Sequence, residues 1–413
     1  MADPRRSPLV DCVFAGAIGG VLLLVAGWCW PAATVPFPGH GARFVAMAEA
    51  PLAFDGEIPQ RVLWPLLAWL VGKVGIGPLA CSQLCSWFLL AVVVWFARAR
   101  TPSWGDAALV GATVAASGAV LLYQQPMACL SDSLVLALLV LAVHHAARPA
   151  VFWALVATAA LGHELVFHLA PWLWWLRCRS GGVWWRDGLW FTGLFAGYAL
   201  YRVWVSSQVP VAAPLNGFLY YLLHNVWVPW LLPSLWALWL VTALAEFGPL
   251  LVLAVAACRS GEAGLGGRWG GPLYVACVAT MMVLAYDVMR FAALLVVPVL
   301  CGALALVRLR QGRAVLAACV VAAAVSYACQ HPVPTDQGGA TFTRVAGELM
   351  ARAAPHMAQK ERVPFDIAWA VQRDGFAAAA GTWAVVAVAW AAVLGLGWWV
   401  GARLRAPAAT EAA

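Results

Sequence analysis

Long apolar runs separated by short polar stretches make up most of this chain. The runs cover roughly 8–29, 78–97, 106–122, 132–147, 150–162, 163–176, 188–206, 235–257, 271–286, 291–308, 314–329 and 380–402. In hydrocarbon every backbone polar group must be satisfied within the chain, and runs of this kind do so as helices. The pattern predicts an all-α fold, a polytopic transmembrane helical bundle with about 12 membrane segments. Two runs are weak, falling furthest short of the roughly 20 residues a crossing needs. These are 150–162 and 163–176, which meet at Gly162-His163-Glu164. They read as a helical hairpin whose tip lies in or near the outer half of the membrane. The alternative is one long helix, which would invert the sidedness of everything after it.

Between the first two full-length runs lies a stretch too polar to cross, Gly39 to Gly72. Ala42 to Pro51 reads as a short amphipathic helix, with Phe44, Met47 and Ala48 on one side and Arg43 and Glu49 on the other. Phe54 to Gln60 reads as a turn, because Asp-Gly favours turn geometry and Pro59 cannot continue a helix. Arg61 to Gly72 returns as a second short helix. Two juxtamembrane helices joined by an acidic turn make either a place for chemistry or an ordinary interfacial anchor.

Composition agrees with the pattern. Of 413 residues, 64% are hydrophobic and 10% charged, against about 25% charged in a soluble domain. The 25 Trp supply interfacial anchors as well as packing. The 11 Cys are scattered through apolar runs; Cys81 and Cys85 are one helical turn apart, but no second pair completes a metal site. They read as small buried hydrophobes. The net charge of +7 is no nucleic-acid signal, because the basic residues sit in short clusters beside apolar runs.

Those clusters orient the segments. Arg5 and Arg6 precede the first run, which reads as a retained helix rather than a cleaved leader. Arg98 and Arg100, then His144, His145 and Arg148, then Arg177, Arg179 and Arg186 follow later runs. Arg259 and Arg268, then Arg308, Arg310 and Arg313, then Arg403 and Arg405 complete the series. Clusters on every second connection are what the positive-inside rule expects of cytoplasmic loops. The expectation is a single multi-pass domain in a bacterial inner membrane, residues 1–413, with both termini cytoplasmic. Its first outer loop spans about 31–72 and a long outer loop about 330–379. No internal repeat is visible, which counts mildly against transporters built from inverted repeats.

Ionisable residues within a membrane are costly, so each is a site hypothesis. Asp132 opens the fourth run in CLSDSLVL, where its plain alternative is a helix N-cap. Glu164 sits in LGHELVFHLA. That string is close to His-Glu-x-x-His, but the second histidine is His168 and the required i+4 position holds Phe167, so the two imidazoles do not share a helix face. A metalloprotease is rejected. Asp287 and Arg290 in AYDVMRFAALLVVP are one turn apart and either pair with each other or present an arginine to an anion. Arginine suits that task because its planar fork grips phosphate oxygens.

An amphipathic helix in the first outer loop, followed by Arg61, Leu63, Pro65, Leu66, Leu67 and Ala68 as Arg-x-Leu-x-Pro-Leu-Leu-Ala, resembles integral-membrane glycosyltransferases of the GT-C fold class. Asp132, Glu164, Asp287 and Arg290 match, in order, that family's acid at the fourth span, glutamate in a short hairpin and Asp-x-x-Arg corner. The resemblance covers about residues 35–310. It implies sugar transfer from a polyprenyl-phosphate-linked donor to a cell-envelope glycan, lipid or protein on the extracytoplasmic face. An acidic residue of the first outer loop would act as base, and membrane lipid is the other partner. It implies Arg61, Asp132, Glu164, Asp287 and Arg290 as substrate-binding residues. One departure stands out: where the family has a string like Asp-Gly-x-x-Tyr, this chain has His40-Gly41-Ala42-Arg43-Phe44. The candidates for the base are therefore Asp55, Glu57 and His40, in that order. A carboxylate can also stabilise positive charge developing on the sugar ring, whereas an imidazole titrates near neutrality. The sequence requires no cofactor and leaves a divalent metal open. Two other classes stay open as well: a lipid or solute transporter, which would set the carboxylates across the membrane midplane, and a non-catalytic envelope-assembly protein, which would fit the His40 departure.

Overall fold

A computed structural model describes residues 7–30, 32–36, 40–53, 60–124, 127–208, 233–281, 288–330 and 380–405. Every regular element among them is helical. In chain order they are α1 (Pro8–Cys29), α2 (His40–Met47), α3 (Leu63–Gly72), α4 (Pro78–Arg98), α5 (Trp104–Ala115), α6 (Gly118–Gln124), α7 (Asp132–His144) and α8 (Pro149–Gly162). A 3-10 turn (Glu164–Leu169) leads into α9 (Ala170–Arg179), α10 (Trp184–Gln208), α11 (Pro233–Phe247), α12 (Leu251–Ser260), α13 (Gly270–Thr280), α14 (Val288–Ala293), α15 (Val296–Leu306), α16 (Gly312–Gln330) and α17 (Ala380–Arg405).

Most of these helices fall where the apolar runs predict them. The hairpin turns at Gly162-His163-Glu164 as expected. The amphipathic helix of the first loop is α2, slightly earlier than its expected span, with Phe44 and Met47 buried and Glu49 exposed. The expected turn after it lies outside the described residues apart from Gln60.

The expected count of about 12 membrane segments is not found. Among the described residues four helical stretches are long and apolar enough to cross: Pro8–Cys29, Pro78–Arg98, Trp239–Ser260 and Ala384–Arg405. Trp104–Ala115 and Gly118–Gln124, bent by 57° at their junction, would make a fifth if taken as one span. The other apolar runs are cut short. Leu63–Gly72, Asp132–His144, Pro149–Gly162, Gly270–Thr280, Arg290–Leu306 and Gly312–Tyr327 are shorter apolar helices. Non-helical backbone at membrane depth is tolerated where protein buries it. The breaks around Asp132, His163 and Arg290 fit that condition, since all three residues are buried.

The packing follows membrane rules. α1 lies along α4, α4 along α5 and α7, α7 along α8, and α12 between α15 and α17. Small residues set the closest approaches. A Cβ on Gly302 of α15 would stand 2.0 Å from the Leu253 carbonyl oxygen of α12. Cβ atoms on Gly397 and Gly401 of α17 would meet Val255 at 2.5 Å and Arg259 at 2.6 Å. Cys81, Cys85, Cys129, Cys277 and Cys301 are free thiols buried among these helices. Large apolar side chains face outward along α1, α10 and α17, as the surfaces of a helical membrane protein do.

Candidate functional site

The site begins at the tip of the α8–α9 hairpin. α8 stops at Gly162 because His163 takes an extended backbone, φ −161° and ψ 126°. The His163 ring then caps the following turn, its Nδ1 accepting the Leu165 backbone N–H at 3.2 Å. In the neutral ring that bond leaves the proton on Nε2. Gly162 permits a tight junction, since a Cβ there would meet Val135 of α7 at 2.7 Å and Leu63 of α3 at 3.2 Å. The Gly162 carbonyl accepts Ser131 Oγ at 2.8 Å, which ties the tip to the start of α7.

Two arginines close on this junction. Arg61, just ahead of α3, is 8% exposed. Its Nε donates to Glu164 Oε2 at 2.8 Å and its Nη2 to Oε1 at 2.6 Å, a two-pronged pair across 103 positions. Arg290 on α14 is buried as deeply and grips Asp132 of α7. Its Nη2 donates to Oδ2 at 2.8 Å and its Nε to Oδ1 at 3.1 Å. His163 stands between the two pairs, in the field of both Arg61 and Arg290. Asp132, His163, Arg290 and Tyr123 line a small cleft, closed below by valines and leucines of α7 and the hairpin turn.

Asp132 is not the N-cap that its position allows. It is the first helical residue of α7; Ser131 holds the cap position without a side-chain capping bond, and the Asp132 carboxylate is committed to Arg290. Asp287, Asp55 and Glu57 lie outside the described residues. His40 opens α2, and nothing is described of its side chain. Among the described residues no three His, Cys, Asp or Glu side chains gather as a metal site requires.

Three residues with buried polar groups do not stand out in the sequence. His163 reads as half of a failed metal motif, yet it sits between the ion pairs. Tyr198 of α10 packs against Phe167 with ring centroids 4.8 Å apart and planes tilted by 46°. Glu246 of α11 is 1% exposed, packed where a Cβ on Gly118 would meet its Oε2 at 2.9 Å. Glu246 had a signal, because a carboxylate inside the apolar run 235–257 carries the same cost that marks Asp132.

The contacts sort helix ends into two sets. Arg61, Asp132, His163, Glu164 and Arg290 make one. The other holds basic residues: Arg100 Nη1 bonds His144 Nδ1 at 3.0 Å, Arg313 Nε bonds Asp106 at 2.5 Å, and Arg177 pairs with Asp187 at 3.0 Å. Asp132 and His144 bound α7, about 18 Å apart at the helical rise.

No family model, curated protein or solved structure matches the chain.

Proposed function

We propose that this helical membrane protein is a GT-C-like glycosyltransferase that moves a sugar from a polyprenyl-phosphate donor to an envelope acceptor on the extracytoplasmic face. The observation that carries it is the meeting of Arg61, Asp132, Glu164 and Arg290, from four distant segments, at the helix ends remote from the basic clusters. The chemistry requires cations beside a leaving phosphate. As the acceptor oxygen bonds the anomeric carbon, the sugar–phosphate bond breaks and its electron pair goes to the phosphate; the acceptor's proton goes to a base. Guanidinium groups that carboxylates hold in place before substrate arrives offer fixed N–H donors without reorganisation during reaction. His163, with Nε2 protonated, adds a neutral donor at the cleft.

The same pairs favour a second reading. Each arginine already has a carboxylate across its fork, as a purely structural tie would. Non-catalytic assembly function then replaces transfer.

The deciding assay follows transfer from radiolabelled polyprenyl-phosphate sugar by membranes carrying Asp55→Asn, Glu57→Gln, His40→Ala or Arg290→Lys at matched expression. Loss of the base should lower the rate by about 10²–10⁴, with Asp55→Asn most affected. Near-normal transfer in all four variants would remove the proposed site. No transfer by the unaltered protein, with lowered thermal stability in Arg290→Lys, would favour the structural tie.

A further inference from the structure

Helices α12 and α17 run side by side in the same direction. Gly397 packs on Val255 and Gly401 on Arg259, four residues further along each helix. Their last turns, with Arg259 on one and Arg403 and Arg405 on the other, therefore share one end of the molecule. Gly261 terminates α12 in the left-handed region, φ 75° and ψ 44°, and turns the chain back. A Cβ there would stand 3.1 Å from the Arg268 backbone nitrogen, so Arg268 sits beside the end of α12. Arg405 lies in the field of both Arg259 and Arg268. Arg179 of α9 is close as well: a Cβ on Gly267 would be 3.9 Å from its Nη2.

The charge here is of one sign. Glu262 is the only carboxylate in the loop between α12 and α13. It faces Arg308 at 3.8 Å and accepts the Ser260 hydroxyl at 3.3 Å. Among the described residues no carboxylate pairs with Arg179, Arg259, Arg268 or Arg405. Arginines in the last turn of a helix complement its dipole, but Arg268 stands just before the N-terminus of α13, where a cation is disfavoured. Guanidinium groups gathered without carboxylates match a phosphate, whose oxygens their planar forks grip.

Helix α17 indicates what carries the phosphate. Leu394, Trp398 and Arg405 follow the helical period along one stripe, and Leu394 and Trp398 are more than half exposed. The Arg259 guanidinium lies 3.9 Å from the Trp398 ring centre, which joins that stripe to the arginine cluster. Leucine, then tryptophan, then arginine toward a helix end is the order of hydrocarbon, interface and headgroup in a bilayer.

We propose that Arg259, Arg268 and Arg405 bind the phosphate of an anionic phospholipid, one acyl chain of which lies along Leu394 and Trp398 of α17. The site lies with the basic set of helix ends, apart from Arg61 and Arg290, and stands whether or not the protein transfers sugar.

The test places the full chain in nanodiscs of phosphatidylcholine with a minority of phosphatidylglycerol and counts retained lipid by native mass spectrometry. The unaltered protein should retain phosphatidylglycerol in preference to phosphatidylcholine. Arg268→Gln and Arg405→Gln alter exposed side chains, and each should lower that retention about fivefold, the effect of one cationic contact. Leu394→Asn should lower it too. Arg310→Gln, at an exposed arginine of the same end outside the cluster, should leave it unchanged. Equal retention of the two lipids by the unaltered protein would overturn the site. Equal losses in Arg310→Gln and Arg405→Gln would also overturn it, by showing a diffuse effect of surface charge. Displacement of the lipid by millimolar inorganic phosphate, with no effect of Leu394→Asn, would assign the arginines to a soluble anion and overturn the lipid.

Discussion

The Arg290–Asp132 pair joins residues 158 positions apart, with side chains 2% and 8% exposed. Desolvating two ions offsets much of their attraction, so such a pair adds little net stability, but losing one partner leaves a buried charge and costs about 3–5 kcal/mol. Arg290→Ala and Asp132→Ala should each lower the thermal midpoint in detergent strongly. The double replacement Arg290→Met with Asp132→Leu should recover most of the loss. If each single variant melts like the unaltered protein, the pair is not formed in solution. At this scale the sequence marks Asp132, Glu164 and Arg290 through the cost of charge in apolar surroundings, and Arg61 only through the resemblance of the string it opens. It cannot mark their partners, because pairing across 103 and 158 positions depends on how helices pack. Asp132 shows the difference. Local spacing offers it a capping role, and Arg290 takes its carboxylate instead.

At the level of elements, the site depends on where helices stop. α8 ends at Gly162, α7 starts at Ser131-Asp132, and the Ser131 bond to the Gly162 carbonyl fixes one against the other. Apolar periodicity places these boundaries to within a few residues, since Gly162, His163 and Pro171 interrupt the run visibly. The break between α14 and α15 has its own signal in Pro298, which lacks a backbone donor and sits in the first turn of α15; α14 packs on α11 and α15 on α12. The α12–α15 contact gives a prediction. Because Gly302 meets the Leu253 backbone, which cannot rotate away as a side chain can, Gly302→Ala must separate the two helices. Overpacking of this kind costs about 1–3 kcal/mol, and fluorescence-detected thermal unfolding should show it. Gly395→Ala on α17, where a Cβ would have nothing within 4 Å, should leave the midpoint unchanged.

For the whole molecule, the two sets of helix ends make a testable arrangement. Basic side chains at one end are partly tied inward: Arg177 to Asp187, Arg313 to Asp106 and Arg308 to Glu262. If this end faces the cytoplasm, as the positive-inside rule expects, then residues 60–61 and 330–379 face outward. Single cysteines introduced at Leu52, which is exposed in the same loop, and in 330–379, on a background without native Cys, should react with an impermeant maleimide in intact cells. One at Arg310 should react only after permeabilisation. The reverse pattern would place the candidate site in the cytoplasm and rule out an extracytoplasmic transferase.

Composition and apolar runs by themselves determine that the chain is helical and apolar enough for a membrane, because only helices satisfy the backbone of such runs in hydrocarbon. They also determine roughly where the helices begin and end, and which charged residues are too costly to be incidental. Tertiary structure alone decides how many of those runs are long enough to cross, since packing breaks several of them into shorter helices. It alone joins Arg61 to Glu164 and Arg290 to Asp132, and brings His163 to the same junction. Those outcomes depend on distances between segments remote in sequence, which periodicity along one segment does not encode.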